Sequence, residues 1–240
     1  MTVQQEKQPA AGAAEWDLYW KKAAEPKRQG LYQVIAKFYR DQIISRSAAA
    51  ILSKHFADSD GRNYLHAGCG SGGSDQRLPM ERARFHFLDI SPEALNLHRR
   101  QPMGLKRSYA CGDIFRLPYA SGSLDGLFNF GVMEHFTEPQ ISAILSEFRR
   151  VLKPDGRMVL FWPPDFGLSV LALGAFTGVA NRFRKQPLKL HPDEVSRIHS
   201  FRWLRDRMRR DRLRLLRAEF GPGDLFTYVA VVAEKEPPAP

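Results

Sequence analysis

Apolar residues recur along this chain with two periods, and the switch between them marks out the elements. From Leu31 to Phe56 the spacing is helical: Leu31, Val34, Ile35 and Phe38 are followed by Ile44, Ala48, Ile51 and Phe56, predicting one broken helix or two. Five short runs of strand composition come next, at Tyr64 to Ala67, Phe85 to Leu88, Tyr109 to Cys111, Leu127 to Phe130 and Met158 to Trp162. Between them the clearest helical stripe is Ile141, Ile144, Leu145, Phe148 and Leu152, stopped by Lys153-Pro154-Asp155-Gly156. Strands that alternate with helices predict a mostly parallel, doubly wound sheet. A helix around Pro192 to Arg210 then precedes Leu213 to Phe220, a Gly221-Pro222-Gly223-Asp224 turn and Phe226 to Ala233, which reads as a closing antiparallel hairpin. In such a sheet a ligand binds outside the carboxyl ends of the strands, so function is sought in the loops that follow them.

At 240 residues and 43% hydrophobic content the chain can bury one substantial core. One domain is expected over residues 31–235, after an N-terminal extension at 1–30, partly disordered and a candidate cofactor lid, and before a disordered tail at 236–240. The net charge of +10 and a pI near 9.8 point toward anionic partners. Eight arginines between Arg202 and Arg217 interleave with Trp203, Leu204, Met208, Leu213 and Leu215, the pattern of elements packed on one side and solvated on the other. That setting argues against a nucleic-acid partner and leaves room for peripheral contact with an anionic membrane. Cys69 and Cys111 lack metal-type spacing, so neither a disulfide nor a metal site is expected. The start carries no signal-peptide pattern, and the uncharged stretch at 166–180 is too short to span a bilayer, so a cytoplasmic location is expected.

The loop after the first strand is Gly68-Cys69-Gly70-Ser71-Gly72-Gly73, where a backbone free of Cβ atoms can approach a nucleotide-like ligand closely. Gly68, Gly70 and Gly73 fit the dinucleotide spacing, while Gly68, Gly70 and Gly72 fit a tighter one, so the loop alone does not choose. Asp89 ends the next strand and can accept bonds from ribose hydroxyls of either cofactor type. Ser74 to Ala83 separates the alternatives: it holds few apolar residues and contains Pro79, a poor helix for seating a pyrophosphate.

At this point the residues resemble the class I methyltransferases that use S-adenosylmethionine (SAM), especially the small-molecule group, from about Tyr64 to Trp162. Leu65-His66-Ala67-Gly68-Cys69-Gly70-Ser71-Gly72 resembles the cofactor loop, and Leu88-Asp89-Ile90-Ser91-Pro92-Glu93-Ala94-Leu95 the ribose-binding segment. Gly112-Asp113-Ile114 follows, then Asn129-Phe130-Gly131-Val132-Met133-Glu134-His135 and the segment 147–156. The resemblance implies a Rossmann-like seven-stranded sheet and SAM as cofactor. It also implies cofactor contacts from His66, Gly68, Cys69, Gly70, Gly72, Asp89, Ile90, Asp113, Ile114, Asn129, Phe130 and Gly131. One departure stands out, because the family often has an acidic residue where His66 stands.

Methyl transfer from a sulfonium is an in-line displacement that positioning and water exclusion can drive. For a hydroxyl acceptor, His135 after the fourth strand is the candidate base, with Glu134 orienting it or binding the cofactor. No Asn/Asp-Pro-Pro-Tyr follows that strand and neither cysteine sits as a nucleophile, so a nucleobase acceptor loses support. A small or lipid-like acceptor, methylated on oxygen, is expected. The alternatives are an NAD-dependent oxidoreductase and a noncatalytic SAM-binding or RNA-binding module. Trp16, Tyr19 and Trp20 are expected to fold over the cofactor, and the apolar run 166–176 to form a lid over the acceptor, with Arg182, Arg184 and Lys185 beyond it.

Overall fold

The computed structural model describes residues 12–24, 37–78, 80–168 and 194–237. Its frame is a seven-stranded sheet of β1 (Asn63–Ala67), β2 (Arg84–Asp89), β3 (Lys106–Cys111), β4 (Leu124–Phe130), β5 (Leu152–Trp162), β6 (Leu213–Glu219) and β7 (Val229–Lys235). The order is β3-β2-β1-β4-β5-β7-β6; β7 runs antiparallel to β5, and β6 antiparallel to β7. This is the doubly wound sheet with a closing hairpin that the pattern predicts, and the order reverses between β1 and β4.

The central strands are apolar on both sides because both faces are covered. Leu127, Met158, Leu160, Trp162, Val229 and Val231 enter one core, with Ile141, Ile144, Leu145 and Phe148 of the helix Glu138–Val151 and Leu204 and Met208 of the helix Phe201–Arg210. Their neighbours Phe128, Val159, Phe161, Ala230 and Val232 enter the other, against Ala48 and Leu52 of Ser45–His55 and Leu95 of Pro92–Arg99. In chain order the helices are α1 (Ala13–Ala24), α2 (Ser45–His55), α3 (Pro92–Arg99), α4 (Glu138–Val151) and α5 (Phe201–Arg210).

Three elements differ from expectation. The break in the first predicted helix is a π-helix at Tyr39–Ile44 that runs straight into α2; residues 31–36 of that prediction lie outside the described residues. The last predicted helix begins only at Phe201, because the preceding stretch spends its backbone elsewhere: Val195 and Ser196 N–H donate to the Glu134 carbonyl, and Ile198 N–H to that of Pro163. The final strand starts at Val229, after Leu225 and Phe226 take left-handed backbone conformations at φ 55° and 57°. Most of the expected apolar lid, with Leu171, Phe176, Arg182, Arg184 and Lys185, lies outside the described residues. No described helix is long and apolar enough to cross a membrane.

Seven of the eight arginines in the 202–217 stretch are exposed, as a solvated face requires. Arg207 is the exception. It is fully buried, bonded to the Glu138 carboxylate, to the Glu138 carbonyl at 2.7 Å and to Ser142 Oγ at 2.9 Å, and paired with Asp211 at 2.9 Å, so it clamps α5 onto α4. Removing one member of a buried ionic cluster strands the others. Arg207→Ala is therefore expected to lose about 3–5 kcal/mol in urea unfolding, and Arg209→Ala less than about 0.5 kcal/mol. Equal midpoints for the two variants would contradict the clamp.

Candidate functional site

The chain leaves β1 through Gly68, Gly70 and Gly72, at φ +74°, +53° and +76°, where an L-residue is strained. The Gly68 and Cys69 N–H groups both donate to the Leu88 carbonyl on β2, at 2.8 and 3.0 Å. Asp89, buried at the end of β2, accepts from Gly70 N–H at 2.8 Å through Oδ2 and from Ser91 N–H at 2.9 Å through Oδ1. One carboxylate thus holds the glycine loop and the start of α3, whose cap is Ser91 with Pro92 next. Burial pushes the Asp89 carboxyl up, and these backbone bonds oppose it.

No helix forms between β1 and β2 among the described residues; the loop continues as turns, and Pro79 lies outside them. What seats this segment is a buried polar cluster that the sequence did not announce. His66 Nδ1 and His98 Nε2 both meet Asp75 Oδ2, at 2.8 and 3.0 Å, and His98 Nδ1 meets the Tyr109 hydroxyl at 3.2 Å. The two imidazoles hold the Asp75 carboxyl down, at about 2, against the opposing effect of its complete burial. His66 stacks on Phe128 at 4.3 Å, and a Cβ on Gly72 would meet the His98 ring at 2.7 Å. Position 66 thus braces the loop from below with Asp75 as its carboxylate partner. The three donor atoms lie within 4.8 Å of one another, a spacing that could also hold a metal ion and that a cysteine-based search cannot find.

The other predicted residues gather at the same sheet edge. Asp113 is exposed after β3 and caps its own turn through Phe115 N–H at 3.0 Å, while Ile114 is buried beside it and Ile90 is half-buried. Cys69 points into the core below the loop, where burial raises its thiol. Beyond β4, Phe130 stacks on Phe161 at 4.0 Å and Gly131 turns at φ +59°. Asn129 is fully buried with neither amide atom partnered, and Glu134 Oε2 is buried without a partner. Burial pushes the Glu134 carboxyl up to about 8, and the nearby Glu194 adds to the effect.

Over this edge lies α1. Trp20 covers Gly70 so closely that a Cβ there would sit 2.7 Å from the indole, and Trp16 meets the His135 ring edge-on at 5.0 Å. Asp17 anchors the helix by accepting from Ser91 Oγ at 2.8 Å. The aromatic side chains of α1 therefore reach from the glycine loop to His135.

Residues 65–156 match a family model described as a methyltransferase domain. Among curated proteins, the chain is 30% identical over 102 residues to a fatty-acid O-methyltransferase of Mycolicibacterium smegmatis, covering 42% of this chain and 36% of that protein. It is 34% identical over 102 residues to a malonyl-[acyl-carrier protein] O-methyltransferase of Laribacter hongkongensis, covering 39% and 34%. The chain thus spans about a third of the length of these two relatives. Magnesium protoporphyrin IX methyltransferase from Synechocystis PCC 6803, solved with bound S-adenosylhomocysteine (SAH), matches at TM-score 0.64 and 17% identity over 90% of this chain and 92% of that one. A Burkholderia thailandensis 1,6-didemethyltoxoflavin-N1-methyltransferase matches at 0.61 and 18% over 98% of each. These two likenesses show the fold.

Glu134 makes stability depend on pH. A carboxyl raised to about 8 in the folded chain keeps its proton while the unfolded chain ionises from about 4.5 upward. The contribution is intact below about 4.5 and is lost by about 8, falling by roughly 1.4 kcal/mol for each pH unit crossed between them. Glu134→Gln should match wild type in urea unfolding at pH 4.5 and exceed it at pH 8; parallel profiles would contradict the buried neutral carboxyl.

Proposed function

We propose that residues 65–156, which match a methyltransferase-domain model, form a class I SAM-dependent methyltransferase domain, and that the chain transfers the methyl group of SAM to oxygen on a small or lipid-like acceptor. The observation that carries the cofactor assignment is the loop from Gly68 to Gly72, which turns through left-handed glycines and is followed by turns instead of a helix. A dinucleotide needs a helix N-terminus for its pyrophosphate, and SAM has none to seat. The residues present fit SAM: left-handed glycines turn the backbone sharply at the end of β1, Asp89 stands ready for ribose hydroxyls and Asp113 for the adenine amino group. Ile90 and Ile114 flank the ring in this reading, Gly131 and Asn129 face the methionine part, and Trp20 closes over it. When bound, SAM supplies an electrophilic methyl carbon.

The chain's own contribution is positioning and exclusion of water, from α1 above and the apolar strand ends below. His135 and Glu134 stand where an acceptor meets this edge. At neutral pH the Glu134 carboxyl keeps its proton, so it donates a hydrogen bond and is no base. His135 is then the group that would accept a proton from a hydroxyl acceptor, whereas an acceptor that arrives ionised needs no base. The names of the fatty-acid and malonyl-[acyl-carrier protein] relatives support oxygen as the methylated atom and an acyl chain as the acceptor's body.

Two variants test the cofactor assignment by calorimetric titration with SAM. Asp113→Ala, at an exposed position, is expected to weaken binding by about 1–3 kcal/mol with an unchanged melting temperature. Asp89→Ala should weaken binding and also lower the melting temperature, because it releases Gly70 and Ser91. Wild-type affinity in both variants would refute the assignment.

A further inference from the structure

The sheet edge that carries the glycine loop also exposes large apolar side chains around the closing hairpin. Phe166 and Leu168 follow β5, Phe201 opens α5, and Leu225 and Phe226 precede β7; each is between 38% and 55% exposed. Because β7 runs antiparallel to β5, its start lies at the same edge as the end of β5. Ring contacts join these residues: Phe166 meets Phe201 at 5.9 Å and Phe220 at 5.3 Å, and Phe220 meets Phe226 at 5.3 Å. The Leu168 N–H donates to the Phe226 carbonyl at 3.1 Å, which draws Leu168 into the same surface. Single apolar side chains on a surface need no partner, whereas a contiguous group marks a surface that meets one.

The backbone is strained where it presents them. Leu225 and Phe226 hold left-handed conformations, φ 55° and 57°, that bulky side chains disfavour. Their N–H groups donate to the Pro222 and Gly221 carbonyls, both at 3.0 Å. The Asp224 carboxylate accepts from Thr227 N–H at 3.3 Å and from Tyr228 N–H at 2.9 Å, and the Tyr39 hydroxyl donates to the Asp224 carbonyl at 2.7 Å. The turn is thus fixed with both side chains held outside.

Charge around the patch selects its partner. Arg202 adjoins Phe201, while Arg205 and Arg209 follow it at one and two helical turns, on the same side of α5. All three are exposed, and among the described residues none forms an ion pair or a side-chain hydrogen bond. The one carboxylate on α5 is Asp206, and Asp165 beside Phe166 is bonded to His199. Phenylalanine and leucine side chains next to uncommitted guanidinium groups match a bilayer surface, where acyl chains lie beneath phosphates. We propose that this patch, with Arg202 and Arg205 at its border, docks the protein on an anionic lipid bilayer and turns the carboxyl edge of the sheet toward it. The inference goes beyond the acceptor reading and does not rest on it.

The test sediments the full chain with vesicles of phosphatidylglycerol and phosphatidylcholine in equal parts, and with vesicles of phosphatidylcholine alone. Wild type should bind the anionic vesicles at least about tenfold more tightly, with the preference shrinking as salt rises. Leu225→Gly combined with Phe226→Gly removes both side chains and suits the left-handed backbone. Vesicle affinity should then fall about tenfold while the melting temperature equals or exceeds that of wild type. Arg202→Gln combined with Arg205→Gln should weaken binding to the anionic vesicles about tenfold. Wild-type vesicle affinity in the glycine pair would overturn the proposal. Failure of wild type to bind anionic vesicles would overturn it too and hand the patch to a protein partner. A lowered melting temperature in the glycine pair would mean that the side chains pack against this chain, which also overturns it. SAM affinity, measured by calorimetry and expected to be equal in all variants, reports on the methyltransferase reading separately.

Discussion

The carboxylate of Asp89 is the contact on which the ligand edge depends. By accepting from Gly70 on one side and Ser91 on the other, it fixes the two chain segments that leave β1 and β2 relative to each other. Buried charge is costly unless its lone pairs are filled, and backbone N–H groups fill them without adding a flexible side chain. The consequence reaches the lid, because Ser91, held in this way, receives Asp17 of α1. Loop, third helix and lid are thus one hydrogen-bonded assembly.

Beneath it a second buried carboxylate does what a helix does elsewhere in the sheet. Asp75 ties the first turns after the glycine loop to His66 on β1 and His98 on α3, and Tyr109 on β3 closes the chain of bonds. Three of the four residues are fully buried, and His66 Nε2 and Asp75 Oδ1 are left without a partner among the described residues. Unmatched polar atoms also lie at the end of β4 and just beyond it, on Asn129 and Glu134.

The sheet was legible because strands covered on both faces read as short continuous apolar runs: Leu127 and Phe128, or Leu160 and Phe161, are equally apolar yet enter opposite cores. The glycine loop, Asp89, Asp113 and the segment from Asn129 to His135 were legible because each follows a strand and faces one edge. Asp75 and His98 were not, since pairing through space between a turn and a helix leaves no periodic mark. Arg207 looked like its seven solvated neighbours because only its contacts with Glu138, Ser142 and Asp211 distinguish it.

The central claim is that the cofactor lies on Gly68–Gly72 beneath α1. Hydrogen exchange of the backbone amides, compared with and without SAH, tests it most directly. The account predicts added protection in three segments together: the glycine loop, the stretch from Asp89 to Ser91, and α1 around Trp16 to Trp20. Protection confined to other parts of the sheet, or none at saturating SAH, would contradict it.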